Sequence, residues 1–187
     1  QTKVIPGGNT IGIKLYTDGL LVVGISFVDT KDGKLTPAKD AGLNQGDRIL
    51  TFNGIKLEDS EHLTDLLEEN KDKPVNLSVA RSDEIIKSIL TPQLTTSGAY
   101  KIGAWVRDSS CGIGTLTFLE PKTGVFAALG HGISDPDTSQ LLTVSHGSIV
   151  NCNVTSVKRG ENGSPGELKG NLLNTQLGNI AENSMCG

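Results

Sequence analysis

One amphipathic helix, placed between segments that favour strands, limits the fold classes open to this chain. Three leucines recur at the i, i+3, i+4 spacing of a single helix face: Leu63, Leu66 and Leu67. The helix is expected to begin at Ser60, whose hydroxyl can cap it, and to end near Asn70. Residues 75–79 then alternate between apolar and smaller side chains, the period of a half-buried strand. One helix among strands predicts an α+β domain.

The residues before this helix predict strands joined by tight turns. Segments 11–15 and 20–25 are apolar, and the Asp-Gly pair at 18–19 between them is a strong hairpin signal. Residues 37–43 predict one helical turn ended by a glycine, and 46–54 predict a strand between two turns. The order is therefore strands, short helix, strand, amphipathic helix, strand.

This order and three groups of residues resemble the PDZ family over residues 5–92. The groups are Thr10-Ile11-Gly12-Ile13, then Pro37-Ala38 through Ala41-Gly42-Leu43, then Gly46-Asp47-Arg48-Ile49-Leu50 leading into Asn53-Gly54. The resemblance implies a peptide-binding domain, with the first group in the place of the carboxylate-binding loop. Such a groove adds a peptide as an extra strand at a sheet edge.

The predicted peptide-binding residues are Ile11, Gly12, Ile13 and Lys14. Glycines on either side of Thr10 let the backbone bend, so that these amides can converge on an anion beside the charge of Lys14. His62 is a further candidate for ligand contact, with a solvated surface histidine as the alternative. Because the loop reads Thr-Ile-Gly-Ile, it resembles bacterial protease-linked PDZ domains, and a terminal carboxylate and an internal segment both stay open as ligands.

A second domain is predicted over 98–187, after the turn-rich, aperiodic residues 91–99. Its expected strands are short and no amphipathic helix separates them, which predicts an all-β, barrel-like segment. The strands are expected at 100–107, 114–119, 125–129, 142–144, 148–150 and 153–157.

His131 is the candidate catalytic residue of this half. It stands between Gly130 and Gly132 after an apolar strand, which leaves an imidazole open to approach and suits a group that accepts a proton from a nucleophile. Asp135 and Asp137 follow, and either orients the histidine or caps a turn. His146 is a rival histidine, with a surface turn as its ordinary explanation.

The chain as a whole resembles the SpoIVB-type sporulation serine peptidases, which join a PDZ domain to a trypsin-like protease domain. The matching residues are Ile5-Pro6-Gly7-Gly8 with Ile11-Gly12, Gly112-Ile113-Gly114-Thr115-Leu116-Thr117, Ala128-Leu129-Gly130-His131-Gly132-Ile133-Ser134-Asp135 and Gly163-Ser164-Pro165-Gly166-Glu167. The fold expected is thus an α+β PDZ-like domain followed by an all-β, trypsin-like half-barrel or barrel. The resemblance implies that His131 is the general base of a serine endopeptidase.

The resemblance also implies a nucleophile in a Ser-Gly-Ser-Pro motif, which these 187 residues lack. The serine and the third catalytic residue are expected beyond Gly187, so a truncated chain that is inactive alone is predicted. Ser164 is a weak substitute, because Pro165 offers no backbone N–H after it. Implied partners are peptide or protein substrates, a membrane-associated regulator and segments of the chain itself, cleaved in the space between two spore membranes.

Charge and cysteine spacing exclude other classes. The net charge of −4 and the absence of a Lys/Arg-rich run argue against nucleic acid. No Cys or His spacing suits zinc, and Gly112-Ile113-Gly114 lacks the later features of a dinucleotide site, so no metal and no small-molecule cofactor are predicted. The three cysteines allow at most one disulfide. The alternative function is a non-catalytic PDZ docking module.

Overall fold

The computed structural model describes residues 2–187, which form two short helices and many strands. The helices are α1 (Pro37–Asp40) and α2 (Ser60–Asn70). The strands are β1 (Ile5–Pro6), β2 (Thr10–Ile25), β3 (Val28–Thr30), β4 (Gly33–Leu35), β5 (Arg48–Phe52), β6 (Ile55–Lys56), β7 (Val75–Arg81), β8 (Glu84–Leu90), β9 (Gln93–Leu94), β10 (Tyr100–Lys101), β11 (Ala104–Thr115), β12 (Phe118–Leu119), β13 (Phe126–Ala127), β14 (Val144–Lys158) and β15 (Glu167–Ile180).

These elements make two compact units that interleave along the chain. The helical unit comprises residues 17–108 and 135–140. The hairpin unit comprises residues 2–16, 109–134 and 141–187. The predicted domains, in contrast, were continuous at 5–92 and 98–187, and those boundaries stay a prediction. β2 and β11 each contribute residues to both units.

The helical unit is built on an antiparallel sheet. β5 pairs with β2 through Leu20↔Ile49 and with β7 through Ile49↔Val79, and β7 pairs with β8. Leu20, Ile49 and Val79 are all fully buried. The core of this unit combines the inward face of the sheet with the apolar side of α2. At roughly 25 cal/mol per Å² of apolar surface, this burial is the main stabilising contribution of the unit.

The predicted amphipathic helix is confirmed as α2, with Leu63, Leu66 and Leu67 buried. Its cap differs by one residue from the prediction. Asp59 is the N-cap, since its Oδ1 accepts a hydrogen bond of 2.8 Å from the backbone N–H of His62, and Ser60 is the first helical residue.

The predicted hairpin at residues 11–25 is wrong, because β2 is one continuous strand of 16 residues. Gly19 takes φ +80° inside it, as a glycine at a β-bulge does. A Cβ on Gly19 would lie 2.5 Å from the carbonyl oxygen of Ile49, so the neighbouring strand approaches closely here. The Thr17 hydroxyl donates to the Gly19 carbonyl at 2.7 Å. The Asp-Gly pair therefore bends the strand instead of reversing it.

The hairpin unit is all-β as predicted, but no sheet among residues 2–187 closes into a barrel. Its largest feature is the antiparallel pair β14 and β15, which runs from Gly147↔Ile180 to Lys158↔Glu167. The predicted short strands 148–150 and 153–157 are merged within β14, and β15 was not predicted at all. A small sheet of β1, β12 and β13 completes the unit. The predicted trypsin-like half-barrel or barrel is thus not confirmed, and the structure has a long hairpin with a small sheet in its place.

No helix within residues 2–187 is both long enough and apolar enough to cross a membrane.

Candidate functional site

His131 lines a cleft of about 490 Å³ within the hairpin unit. Apolar residues form much of its wall, among them Ile13, Leu15, Phe126, Ile133, Ile149 and Ile180. The imidazole is exposed rather than packed in the core. The strand predicted at 125–129 is formed only over Phe126–Ala127, so His131 lies on the connection after β13. This placement combines an accessible basic group with an apolar surface for a substrate.

The His131 ring makes a hydrogen-bond contact with a neighbouring carbonyl oxygen that suits one tautomer. Its Nδ1 lies 3.1 Å from the carbonyl oxygen of Gly132. Because a carbonyl oxygen only accepts, Nδ1 carries the proton in this contact, and Nε2 of the neutral ring is the acceptor. An acceptor at Nε2 is what a general base needs to take a proton from a hydroxyl nucleophile.

The chain around His131 is held by the segment 183–187. The Asn183 side chain accepts from the backbone N–H of Ile133 at 2.8 Å and donates to the carbonyl of Ile133 at 2.9 Å and that of Leu142 at 3.0 Å. The backbone N–H of Gly130 donates to the carbonyl of Cys186 at 3.1 Å. The backbone is therefore fixed on both sides of His131, at Gly130 and at Ile133, by residues 183 and 186.

Two further side chains that carry a hydroxyl or a thiol, Ser184 and Cys186, line the same cleft. The Ser184 hydroxyl donates to the carbonyl of Gly187 at 2.9 Å, and the Cys186 thiol is exposed. Neither residue lies in a recognisable motif, so neither is predicted as a site from the sequence. Ser164, the substitute considered from sequence, lies at the hairpin tip, where its backbone N–H donates to Glu161.

Asp135 is the most buried polar group near this stretch of chain, with no exposed surface. It belongs to the helical unit, where it pairs with the Arg107 guanidinium and accepts from the backbone N–H groups of Asp137 and Thr138 at 3.0 and 2.9 Å. Burial alone would raise its pKa, but the hydrogen bonds from Thr138, Arg107 and Asp137 outweigh burial and hold the pKa below its ordinary value. Of the two roles left open by the sequence, turn capping is the one observed.

The rival histidine, His146, lies in a smaller cleft of about 450 Å³. Its ring stacks on Tyr16 with centroids 4.5 Å apart, and its Nδ1 lies 2.9 Å from the Ser145 hydroxyl. Stacking immobilises the imidazole against an aromatic face. This contact gives His146 a structural role that His131 lacks.

The predicted peptide-binding residues lie in β2: Ile11, Gly12, Ile13 and Lys14. β2 is paired with both β14 and β11. A Cβ on Gly12 would meet Val150 at 2.8 Å and Leu172 at 2.7 Å, and a Cβ on Gly114 would meet Ile13 at 2.8 Å. Neighbouring elements thus crowd this stretch. Its role in carboxylate binding stays a prediction that requires a neighbouring strand to move away.

No group of three or more His, Cys, Asp or Glu side chains in the described chain is arranged to hold a metal ion. The residues that follow the three histidines at 62, 131 and 146 also do not form the HExxH motif of many zinc peptidases.

Two family models match separate parts of the chain. Residues 98–187 match the model described as SpoIVB peptidase S55, and residues 22–88 match the PDZ domain model. The first match contains His131, and the second contains α2.

Curated relatives carry the name of another peptidase type. A protein named as a zinc metalloprotease in Clostridium perfringens is 31% identical over 86 residues, covering 44% of this chain and 26% of its own length. A protein of that name in Lactococcus lactis is 31% identical over 114 residues, covering 58% of this chain and 26% of its own length. Zinc metalloprotease RasP of Bacillus licheniformis is 24% identical over 134 residues, covering 70% of this chain and 30% of its own length. The chain therefore spans less than a third of each relative.

Among solved structures, the PDZ domain of an SdrC-like protein from Listeria monocytogenes is similar with a TM-score of 0.39. It is 23% identical, and the match covers 48% of this chain and 87% of the other. The family matches and the names of the relatives together support a PDZ-containing protein of a peptidase family, without distinguishing a serine from a zinc peptidase.

Proposed function

We propose that this chain is the PDZ-bearing and histidine-bearing part of a regulatory serine endopeptidase of the sporulation signalling type. One observation carries the proposal: within the region that matches the S55 peptidase model, His131 is exposed in an apolar cleft with its Nδ1 on a carbonyl oxygen. That geometry leaves Nε2 as the proton acceptor.

In this proposal His131 takes the proton of a serine hydroxyl as the oxygen attacks a peptide carbonyl, and then gives that proton to the leaving amine. Water then attacks the resulting acyl ester. His131 takes the proton of that water and returns it to the serine oxygen as the ester bond breaks. The serine comes from outside these 187 residues, because the Ser-Gly-Ser-Pro motif is not among them. The apolar wall of the cleft contributes substrate-binding surface.

The proposed biological setting follows the resemblance. The enzyme cleaves itself and a membrane-associated regulator in the space between two spore membranes, and the PDZ domain docks peptide or protein partners. The match of residues 22–88 to the PDZ model supports the docking part. The zinc-metalloprotease names of the relatives are the main argument against the serine type.

A fluorophosphonate probe, which labels activated serines, tests the serine mechanism in a longer protein that includes the expected motif. We expect labelling in the parent protein and a loss of at least about 1000-fold in its rate with His131→Ala, because the general base is removed. His146→Ala is the matched control and should label within about threefold of the parent. A zinc chelator should leave labelling and cleavage unchanged.

Three outcomes would contradict the proposal. Cleavage abolished by the chelator would favour a zinc peptidase, and unchanged labelling of His131→Ala would remove its assigned role. Labelling of residues 1–187 alone would show that the nucleophile lies within this chain, and Ser184→Ala would then test the hydroxyl that lines the His131 cleft.

A further inference from the structure

Residues 100–108 run along α2 from its last turn to its first, within the helical unit. At one end, the backbone N–H of Tyr100 donates to Glu68 Oε1 at 2.8 Å. At the other end, Asp108 Oδ2 accepts from both the backbone N–H and the hydroxyl of Ser60, each at 2.8 Å. A carboxylate at a helix N-terminus is stabilised by the helix dipole and by unsatisfied backbone N–H groups. The segment is therefore fastened to both ends of the helix.

The opposite side of this segment is joined to the sheet. β11 pairs with β2, and the backbone N–H of Ser26 donates to the carbonyl of Gly103 at 2.9 Å. The Thr17 hydroxyl oxygen, whose proton goes to the nearer Gly19 carbonyl, lies 3.2 Å from the carbonyl oxygen of Asp108. Residues 100–108 thus lie between α2 and a sheet strand, in the way that an added peptide strand lies in a helix-and-strand groove.

The side chains of the segment alternate as those of a bound extended peptide do. Ile102 is only 5% exposed and joins the core, and Ala104 and Val106 pack against that core. Trp105 between them is 67% exposed. The groove consequently accepts apolar side chains at two-residue spacing, followed by a carboxylate at the position of Asp108.

The segment also lies outside the PDZ match and inside the peptidase match. The PDZ model ends at residue 88, whereas the S55 model begins at residue 98. Strands at the edge of a sheet are open to pairing with other chains unless something covers them. Here the strand edge is covered by residues 100–108, which lie within the region that matches the S55 peptidase model.

We propose that residues 100–108 are a built-in ligand of the groove between α2 and β2, and that the external partner is an extended segment with one carboxylate that replaces them. The partner carries apolar residues at alternating positions and a carboxylate that takes the place of Asp108 on Ser60. This proposal deepens the docking part of the proposed function and rests on it.

Displacement of this strand would have a defined consequence, because Arg107 is part of it. Arg107 pairs with Asp135 and, at 2.7 Å, with Asp137. Removal of the guanidinium leaves the buried Asp135 carboxylate without its cationic partner, which destabilises the loop 135–140. Asp135 follows His131 by four residues in the sequence, so the loop that partner binding would loosen begins shortly after the candidate base.

Two glycines provide a matched pair of variants for the test. Gly103 has φ +75°, and a Cβ there would lie 2.8 Å from the Ser26 carbonyl oxygen. Gly98 has φ +90°, but a Cβ there would meet nothing within 4 Å. Gly103→Ala and Gly98→Ala therefore introduce comparable backbone strain, and only Gly103→Ala pushes the segment off its strand partner.

The experiment measures fluorescence anisotropy of a labelled synthetic peptide with the sequence of residues 99–109, added to the full 187-residue chain. We expect Gly103→Ala to bind at least about tenfold more tightly than wild type or Gly98→Ala, because the groove is released from its own ligand. A peptide with lysine in place of Asp108 should bind at least about tenfold more weakly. Amide exchange of residues 100–108 should rise on binding.

Equal affinity of Gly103→Ala and Gly98→Ala, or binding by neither, would overturn the proposal. If Gly103→Ala does not fold, Asp108→Asn replaces it. This variant removes the negative charge of the carboxylate that accepts from Ser60, without adding bulk. An unchanged affinity in Asp108→Asn would equally overturn the proposal. The peptidase part of the proposed function is judged separately by fluorophosphonate labelling, so the two failures are distinguishable.

Discussion

The two units use apolar residues in opposite ways. In the helical unit, sheet and helix enclose one continuous core that includes Leu20, Ile49, Leu66 and Val79. In the hairpin unit no residue of β15 is buried, although that strand is 14 residues long. Large apolar side chains are exposed along its hairpin, at Val154, Val157, Leu168, Leu173 and Leu177.

This difference places the larger apolar core in one unit and the candidate base in the other. A two-stranded hairpin that buries little apolar surface is marginally stable, whereas a sheet covered by a helix supports cooperative folding. The candidate base lies in the unit with the smaller core. Binding and catalytic segments are often found in the less stable parts of a fold, because they have to move.

The largest expected loss of stability comes from a substitution that creates a cavity in the core of the helical unit. Leu20 is fully buried and Leu177 is 52% exposed. We expect Leu20→Ala to lower the free energy of unfolding by about 3 kcal/mol, since it removes buried methyl groups and leaves a cavity. Leu177→Ala, the matched control, should cost less than about 0.5 kcal/mol. Urea unfolding followed by circular dichroism measures both, and equal losses would contradict the contrast between the units.

An intermediate effect is expected from Asp135→Asn, which removes the charge paired with Arg107. Because Arg107 is one-third exposed, we expect the free energy of unfolding to fall by about 2 kcal/mol near pH 7. This is less than the loss usual for a fully buried ion pair. The pKa of Asp135 is lowered in the folded state, so its stabilisation is present above the unfolded pKa near 4 and is lost as pH falls through the folded pKa.

Urea unfolding at a series of pH values measures this effect. The difference between wild type and Asp135→Asn should shrink as the pH is lowered below about 4. A difference that stays constant down to pH 2 would show that the carboxylate charge is not responsible. Asp72→Asn, for which the structure records no ion pair, is the control for a general change in charge.

The smallest effect on global stability is expected from Gly132→Ala beside the candidate base. A Cβ on Gly132 would overlap the Ser184 carbonyl oxygen and Leu141, whereas a Cβ on Gly130 would meet nothing within 4 Å. We expect Gly132→Ala to cost about 1 kcal/mol or less overall, but to raise amide exchange across 183–187. Gly130→Ala should leave that exchange unchanged. Protection retained in Gly132→Ala would show that the 183–187 segment does not pack on it.

Residue patterns over a few neighbouring positions predicted several elements of the helical unit. α2 has the bounds expected from its leucine spacing, Gly42 takes the left-handed conformation with φ +76°, and Asn53-Gly54 forms a turn with φ 51° and 83°. Each of these depends on residues a few positions apart. The continuous β2 was missed because Asp18-Gly19 favours a reversal when taken alone, and the strand that packs closely against Gly19 begins only at residue 48.

The candidate site was only partly predictable. His131 was identified because flanking glycines mark it, and the family resemblance gave it a role. Its anchors were not identified, because Asn183 follows Ile133 by 50 residues and Asp135 follows Arg107 by 28. β15 was missed because its sequence lacks the alternation of a half-buried strand, and the structure shows that it has no buried face.

The interleaving of the units also bears on synthesis of the chain at the ribosome. Ile102 is part of the core of the helical unit, and residues 135–140 pack in that unit as well. A nascent chain ending at residue 92 would therefore expose part of the helical core to water until the next residues emerge. The helical unit can therefore finish folding only after part of the region that matches the S55 peptidase model has emerged.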